Sequence, residues 1–126
     1  MSLSGKIMEI ARYSIVICRH PNGKYLCVKE RTGKWWVPGG SLEKGETHLM
    51  AAKRETWEEA GIELDVKGIL AFDQVNFGKY AFRVIYYGEP VDPQQVPKKT
   101  SDNESQEAQY LTLSEILQLK PHWRAP

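Results

Sequence analysis

A helix that crowds three carboxylates on one side leaves few folds open to the chain that carries it. Residues 48–60 contain neither proline nor glycine, and Gly61 follows them, a residue that readily takes the left-handed conformation just past a helix end. With Glu55 set to zero on a helical wheel, Glu58 falls at about 300°, Glu59 at about 40° and Arg54 at about 260°. Leu49, Met50, Thr56, Trp57 and Ala60 lie on the far side, which is therefore expected to face the core, with Lys53 as an imperfection. Ala51 and Ala52 sit near the acidic arc, and their small side chains leave room there. Each like-charge pair, Glu55 with Glu58 and Glu55 with Glu59, costs roughly 0.2–0.5 kcal/mol in an isolated helix, and Arg54 relieves part of it. Grouped carboxylate oxygens are what a hard divalent cation needs. On charge spacing alone, however, a solvated acidic face is the commoner explanation.

The rest of the chain reads as strands around this helix. Residues 12–18 and 25–29 are rich in β-branched and aromatic side chains, and 35–37 form a third short run that stops at Pro38, Gly39 and Gly40. Residues 62–71 and 80–87 are further strands, with 74–79 as the turn between them. Pro90, Pro93 and Pro97 make residues 89–103 an exposed loop, and Thr112 with Glu115 has capping-box spacing for a short closing helix that ends near Pro121. Cys18 and Cys27 flank a turn signal at Pro21, Asn22 and Gly23, so a hairpin would bring them nearly opposite each other. A reduced, half-buried pair is expected over a disulfide, and no second ligand at close spacing supports a zinc site.

With 126 residues, 41% of them hydrophobic and 26% charged, the chain is long enough for one packed core, and residues 1–126 are expected to form a single domain. Seventeen Lys and Arg against sixteen Asp and Glu give a net charge of +1, too little to hold long nucleic acid or an anionic membrane. A small ligand is expected instead. No leader-like segment opens the sequence and no run approaches the ~20 apolar residues of a membrane span, so a soluble, cytoplasmic protein is expected.

The stretch from Gly40 to Ile62 overturns the bland explanation of the acidic helix. Gly40, Glu46, Arg54, Glu55, Glu58, Glu59, Gly61 and Ile62 stand in the spacing G-x5-E-x7-R-E-U-x-E-E-x-G-U, where U is a bulky aliphatic residue. This resembles the Nudix box at every fixed position, with Thr56 at the first U as the departure. Trp35, Val37, Pro38, Gly39 and Gly40 are similar to the family's lead-in, and the resemblance covers about residues 12–117. It implies an α+β fold, an α/β/α sandwich around a mixed central sheet, with a loop–helix–loop metal site. It also implies hydrolysis of a diphosphate linkage in a nucleoside diphosphate linked to a further group, with Mg²⁺ as cofactor and Mn²⁺ able to substitute.

The same resemblance assigns roles. Glu55, Glu58 and Glu59 would be metal ligands with the Gly40 carbonyl as a further oxygen donor, Arg54 would orient a glutamate, Glu46 would brace the loop, and Gly61 would permit the sharp helix exit. Family members place another acidic residue, ligand or general base, before a strand-like aromatic, here Tyr110. Glu104 is the first candidate and Glu107 the second, and the base stays open between Glu58 and Glu104. For the substrate, Trp35, Phe77, Tyr80 and Phe82 offer rings for a base, although strand aromatics more often belong to a core. Tyr80 resembles the tyrosine that dinucleoside polyphosphate hydrolases carry downstream of the box, and the proline of ADP-ribose hydrolases is missing. Arg31 and Lys34 are candidates for gripping phosphate, and His48 is expected to be solvated. An RNA 5′-end pyrophosphohydrolase and a silent nucleotide-sensing module are the rival classes. The near-neutral charge weighs against the first and the intact acidic positions against the second. A homodimer is left open.

Overall fold

Alternation of side chains builds the central strand. In β1 (Ala11–Cys18) Ser14, Val16 and Cys18 are fully buried, while Tyr13, Ile15 and Ile17 point to the other face and stay half-buried. The computed structural model describes residues 10–76, 80–99, 107–119 and 122. In it β1 runs parallel to β6 (Tyr80–Pro90), in register from Ala11 opposite Ala81 to Cys18 opposite Gly88. Two antiparallel neighbours complete a four-stranded mixed sheet: β4 (Gly39–Ser41) beside β1 and β5 (Leu64–Asn76) beside β6. A second, antiparallel sheet consists of β3 (Trp35–Trp36), β2 (Tyr25–Lys29) and β7 (Glu107–Leu111), with β2 in the middle.

The two sheets share one core under the acidic helix α1 (His48–Ala60), where Val16, Leu26, Val28, Val84 and Tyr86 meet Ala52 and Ala60. Cys27 points the opposite way from Leu26 and Val28. With Trp35, Trp36 and Val37 it lines a cavity of about 150 Å³ beneath Ile116 and Leu119, at the helix α2 (Leu113–Gln118). Helices therefore lie on both sides of strand structure, the α/β/α arrangement. Both helices are capped by local chemistry. Thr47 Oγ1 accepts from Met50 N at 3.1 Å, Gly61 turns left-handed at φ 68° and its N–H donates to Trp57 O at 2.8 Å, and Thr112 with Glu115 forms the expected capping box.

Several expectations need correction. The chain does not stop at Gly39 and Gly40 but continues as β4, with Pro38 O accepting from Val16 N at 2.9 Å, because two glycines fit the close approach to β1. β3 ends at Trp36 rather than at residue 37. β5 reaches Asn76 and β6 reaches Pro90, so Gln74 is in a strand and not in the turn, and the hairpin ladder gains its extra length through register shifts near Lys67 and Leu70. Residues 20–24 do turn, with a single Arg19–Tyr25 bridge, yet the strands then part into different sheets because β1 is already paired on both edges. That bridge sets Cys18 toward Leu26 and not toward Cys27. Residues 91–99 are a largely exposed loop as expected, pinned by Val91 N to Glu63 O at 2.9 Å and by His20 Nε2 with Pro93 O at 2.8 Å.

The wheel placed Thr56 and Ala60 on the buried face correctly but mistook the rest of it. Leu49, Met50 and Trp57 are exposed, whereas Ala51, Ala52, Glu55, Thr56 and Ala60 face the sheets. Small residues win because β1 and β4 come close to the helix, and the alanines that seemed to leave room for a ligand are filled by strand instead.

Both cysteines are free and buried. Burial pushes each thiol from 9.0 up to about 12, Cys18 further under Glu89 and Cys27 under Glu115, while a Tyr110 hydrogen bond partly offsets the shift at Cys18. A raised thiol pKa means that folding favours the protonated form, so the associated stability is complete below pH 9.0 and is lost as pH rises through about 12. The expected outcome is slow reaction of native protein with a thiol reagent at pH 8, fast reaction once unfolded, and a urea midpoint that falls progressively between pH 9 and 12.

Candidate metal and catalytic site

The site begins where α1 crosses β1 and β4. Ser14 Oγ donates to His48 O at 2.7 Å, anchoring the first turn to the sheet. Thr56, the odd residue of the box, is fully buried with its hydroxyl donating to Ala52 O at 2.8 Å, so its polar atom is satisfied inside the helix. At the far end Lys98 Nζ donates to Glu58 O at 2.7 Å and Lys98 N to Ala60 O at 2.9 Å. Ala108 N donates in turn to Lys98 O at 2.9 Å, which ties the last turn of α1 to β7. A cation there also complements the negative end of the helix dipole.

Arg54 is the hub. Its Nε donates to Glu46 Oε2 at 2.8 Å, Nη2 to Glu46 Oε1 at 3.0 Å and to Ser41 O at 3.2 Å, and Nη1 to Glu55 Oε1 and Glu58 Oε2, both at 3.0 Å. Side-chain exposures of 20% for Arg54, 9% for Glu46, 12% for Glu55 and 35% for Glu58 make Glu58 the most open acid of the four-residue cluster. The hydrogen bond to Glu46 is the main reason that the Arg54 guanidinium is held even more firmly protonated than usual. Reciprocally, the Arg54 bond and then the Glu43 amide keep the Glu46 carboxyl below its ordinary value.

Glycine matters here for lack of a side chain. A Cβ on Gly40 would stand 2.5 Å from Glu55 Oε1, and one on Gly39 would stand 2.6 Å from Ser14 O. Gly39 N donates to Glu59 Oε1 at 2.9 Å. Gly40, Arg54, Glu55, Glu58 and Glu59 are thus assembled around one loop–helix junction, with Glu46 behind Arg54. Among the described residues no three acidic, histidine or cysteine side chains group closely enough to hold a metal ion. The donor set nevertheless suits a hard cation. Its atoms are all oxygens, the space a Cβ would fill at Gly40 lies against a carboxylate, and Glu55 and Glu58 already share one cationic group.

Glu104 and Phe77 fall outside the described residues. Glu107 opens β7, half-buried, and accepts from Gln109 Nε2 at 3.0 Å. Arg31 and Lys34 are exposed at the turn between β2 and β3, Trp35 lines the cavity under α2, and Tyr80 is exposed at the start of β6. Phe82 packs on the core edge, its ring 5.9 Å from that of His48 in an edge-on contact and 5.9 Å from that of Phe72. His48 is therefore half-buried rather than solvated, and burial, then Arg12, lowers its pKa. Ser14 and Lys98 escaped the sequence reading. A serine on the buried face of an apolar strand was a usable signal for the first, and nothing marked the second.

Comparison with known proteins agrees with this geometry. The NUDIX domain profile matches residues 10–126. Phosphatase NudJ of Escherichia coli K12 is 32% identical over 109 residues, covering 79% of this chain and 67% of that protein. Human 8-oxo-dGDP phosphatase NUDT18 is 31% identical over 80 residues, 64% of this chain, which spans only 24% of that longer protein. A NUDIX hydrolase structure from Nitrosomonas europaea superposes with a TM-score of 0.77 at 24% identity, covering 94% of this chain and 82% of its own.

Arg54→Lys should lower stability by about 2 kcal/mol, because a single ammonium cannot reproduce a planar fork shared among three carboxylates. Glu43→Gln should stay within about 0.5 kcal/mol, since Glu43 is 66% exposed and 3.6 Å from Arg54. Paired urea titrations of the two variants against the parent check both values.

Proposed function

The chain belongs to the NUDIX family and is a Nudix hydrolase, and on that premise we propose that it cleaves the diphosphate linkage of a small nucleotide, such as a modified nucleoside triphosphate or a dinucleoside polyphosphate. The observation that carries the reading is the Arg54 guanidinium bridging Glu55 and Glu58 beside Gly40. An acidic helix with no function would leave its carboxylates in water, whereas here Glu55 is drawn inside and Glu58 is steered. The names of NUDT18 and NudJ, both phosphatases, support a phosphorylated substrate.

In this reading Glu55, Glu58 and Glu59 with the Gly40 carbonyl would hold Mg²⁺, with Mn²⁺ able to substitute. The bound ion would neutralise phosphate charge and make a bound water more acidic. The protein's own part is positional. Arg54 fixes the directions of Glu55 and Glu58, Glu46 fixes Arg54, and the Gly39 amide fixes Glu59. Glu58, as the more open carboxylate, or Glu104, which precedes β7 in sequence, accepts the proton of the attacking water. Near-neutral net charge supports a small substrate over a polymer.

The test is phosphate and pyrophosphate release across nucleoside triphosphates, oxidised nucleotides, dinucleoside polyphosphates, ADP-ribose and 5′-triphosphorylated RNA, with Mg²⁺ and with chelator. Turnover of a small-nucleotide class that chelator abolishes is expected. Preference for the RNA, or silence throughout from folded protein, would count against the proposal. Glu58→Gln should reduce kcat by about 10²- to 10⁴-fold with an unchanged circular dichroism spectrum. Gly40→Ala should also impair turnover, because its methyl group displaces the Glu55 carboxylate.

A further inference from the structure

The sheet face that carries α1 does not end where the helix does. Register fixes which side chains share that face. Arg12, Phe82 and Gln74 lie in one row across β1, β6 and β5, and Ser14, Val84 and Phe72 lie in the next. Ser14 and Val84 are buried, and Ser14 bonds the first turn of α1. At the edge strand the cover runs out, leaving Phe72 67% exposed and Gln74 exposed. The Phe72 ring is tilted 34° against that of Phe82, and His48 meets Phe82 edge-on at an interplanar angle of 75°.

We propose that Phe72, backed by Phe82 and His48, is the stacking platform for the heteroaromatic base of the substrate, with Gln74 reading the base edge and Arg12 meeting phosphate charge. This rests on the nucleotide reading above and narrows it to substrates that carry a base. Three features favour a base over another occupant. An exposed ring held in place by a second ring offers a flat π-face at little entropic cost, and every base has a matching face. Gln74 supplies both a donor and an acceptor, which a purely apolar ligand cannot use and a base edge can. Arg12 adds the charge complementary to phosphate and lies near enough to His48 to lower its pKa further, after burial. The platform is also within reach of the acidic cluster, since His48 opens the helix about two turns before Glu55, on the order of 10 Å along the axis.

The experiment compares binding of AMP, GMP and base-free ribose 5-phosphate by calorimetry in the parent protein, Phe72→Ala and Phe72→Trp, together with KM and kcat on whichever nucleotide is turned over. Phe72→Ala should weaken AMP or GMP by roughly tenfold, leave ribose 5-phosphate unchanged, and raise KM by a similar factor with kcat within about twofold. Phe72→Trp should restore the parent values. Equal weakening of all three ligands, no weakening, no binding of either nucleotide by the parent, or a change confined to sedimentation behaviour would each overturn the platform. The binding assay needs no turnover. A parent that hydrolyses nothing yet shows this binding pattern refutes the hydrolytic reading and keeps the platform. Normal dependence of turnover on Glu58 with indifference to Phe72 does the reverse.

Discussion

Three acidic side chains, Glu46, Glu55 and Glu58, share one guanidinium, and without Arg54 they would repel one another where they are partly shielded from water. Arginine answers this need better than lysine. Its planar fork donates in several directions at once, and its charge survives partial burial. The bonds also reach different parts of the chain: Glu46 belongs to the loop before α1, Ser41 to β4, and Glu55 and Glu58 to the helix itself. One side chain therefore sets the loop, the strand and the acidic face in a common geometry.

That hub works only because the backbone around it is close. Gly39 and Gly40 let β4 lie against β1 and under Glu55, and Ala51, Ala52 and Ala60 let α1 settle on the sheets. The cost of drawing Glu55 inside is offset by charge-assisted hydrogen bonding. Lys98 closes the other end of the helix through its amine and its backbone, so the loop of residues 91–99 and β7 are held to the same element as the glutamates. Whatever that loop carries toward the site is positioned by contacts that begin at Glu58 and Ala60.

How legible this was differs from residue to residue. The helix bounds, the left-handed Gly61 and the capping box at Thr112 follow from local backbone chemistry, and each was readable because no distant residue competes. The strands at 12–18 and 25–29 were readable from alternation and β-branched content, but their apparent hairpin was not real beyond one bridge. Its partners, β6 and β7, lie far along the chain, and pairing at such separation leaves no local trace. Leu49, Met50 and Trp57 were assigned to the core on apolarity alone, yet what α1 buries is decided by the space that the neighbouring strands allow. Phe72 lay just past the end of the expected strand and Gln74 in the expected turn, because the bulged continuation of β5 depends on β6.

By itself the sequence determined the acidic helix, its caps, the spacing of Gly40, Glu46, Arg54, Glu55, Glu58 and Glu59, and through them the family and the kind of chemistry. These are short-range properties, set by helical periodicity and by residues that constrain their own backbone. Only the tertiary structure decided which glutamate is buried and which is open, that one arginine serves three of them, that Lys98 pins the helix end, and that the exposed Phe72 ring rests on the half-buried Phe82 beside the first turn of α1. Those outcomes depend on strand register and on the approach of elements separated by much of the chain. In such contacts burial, charge pairing and steric room are settled jointly, and no single segment specifies them.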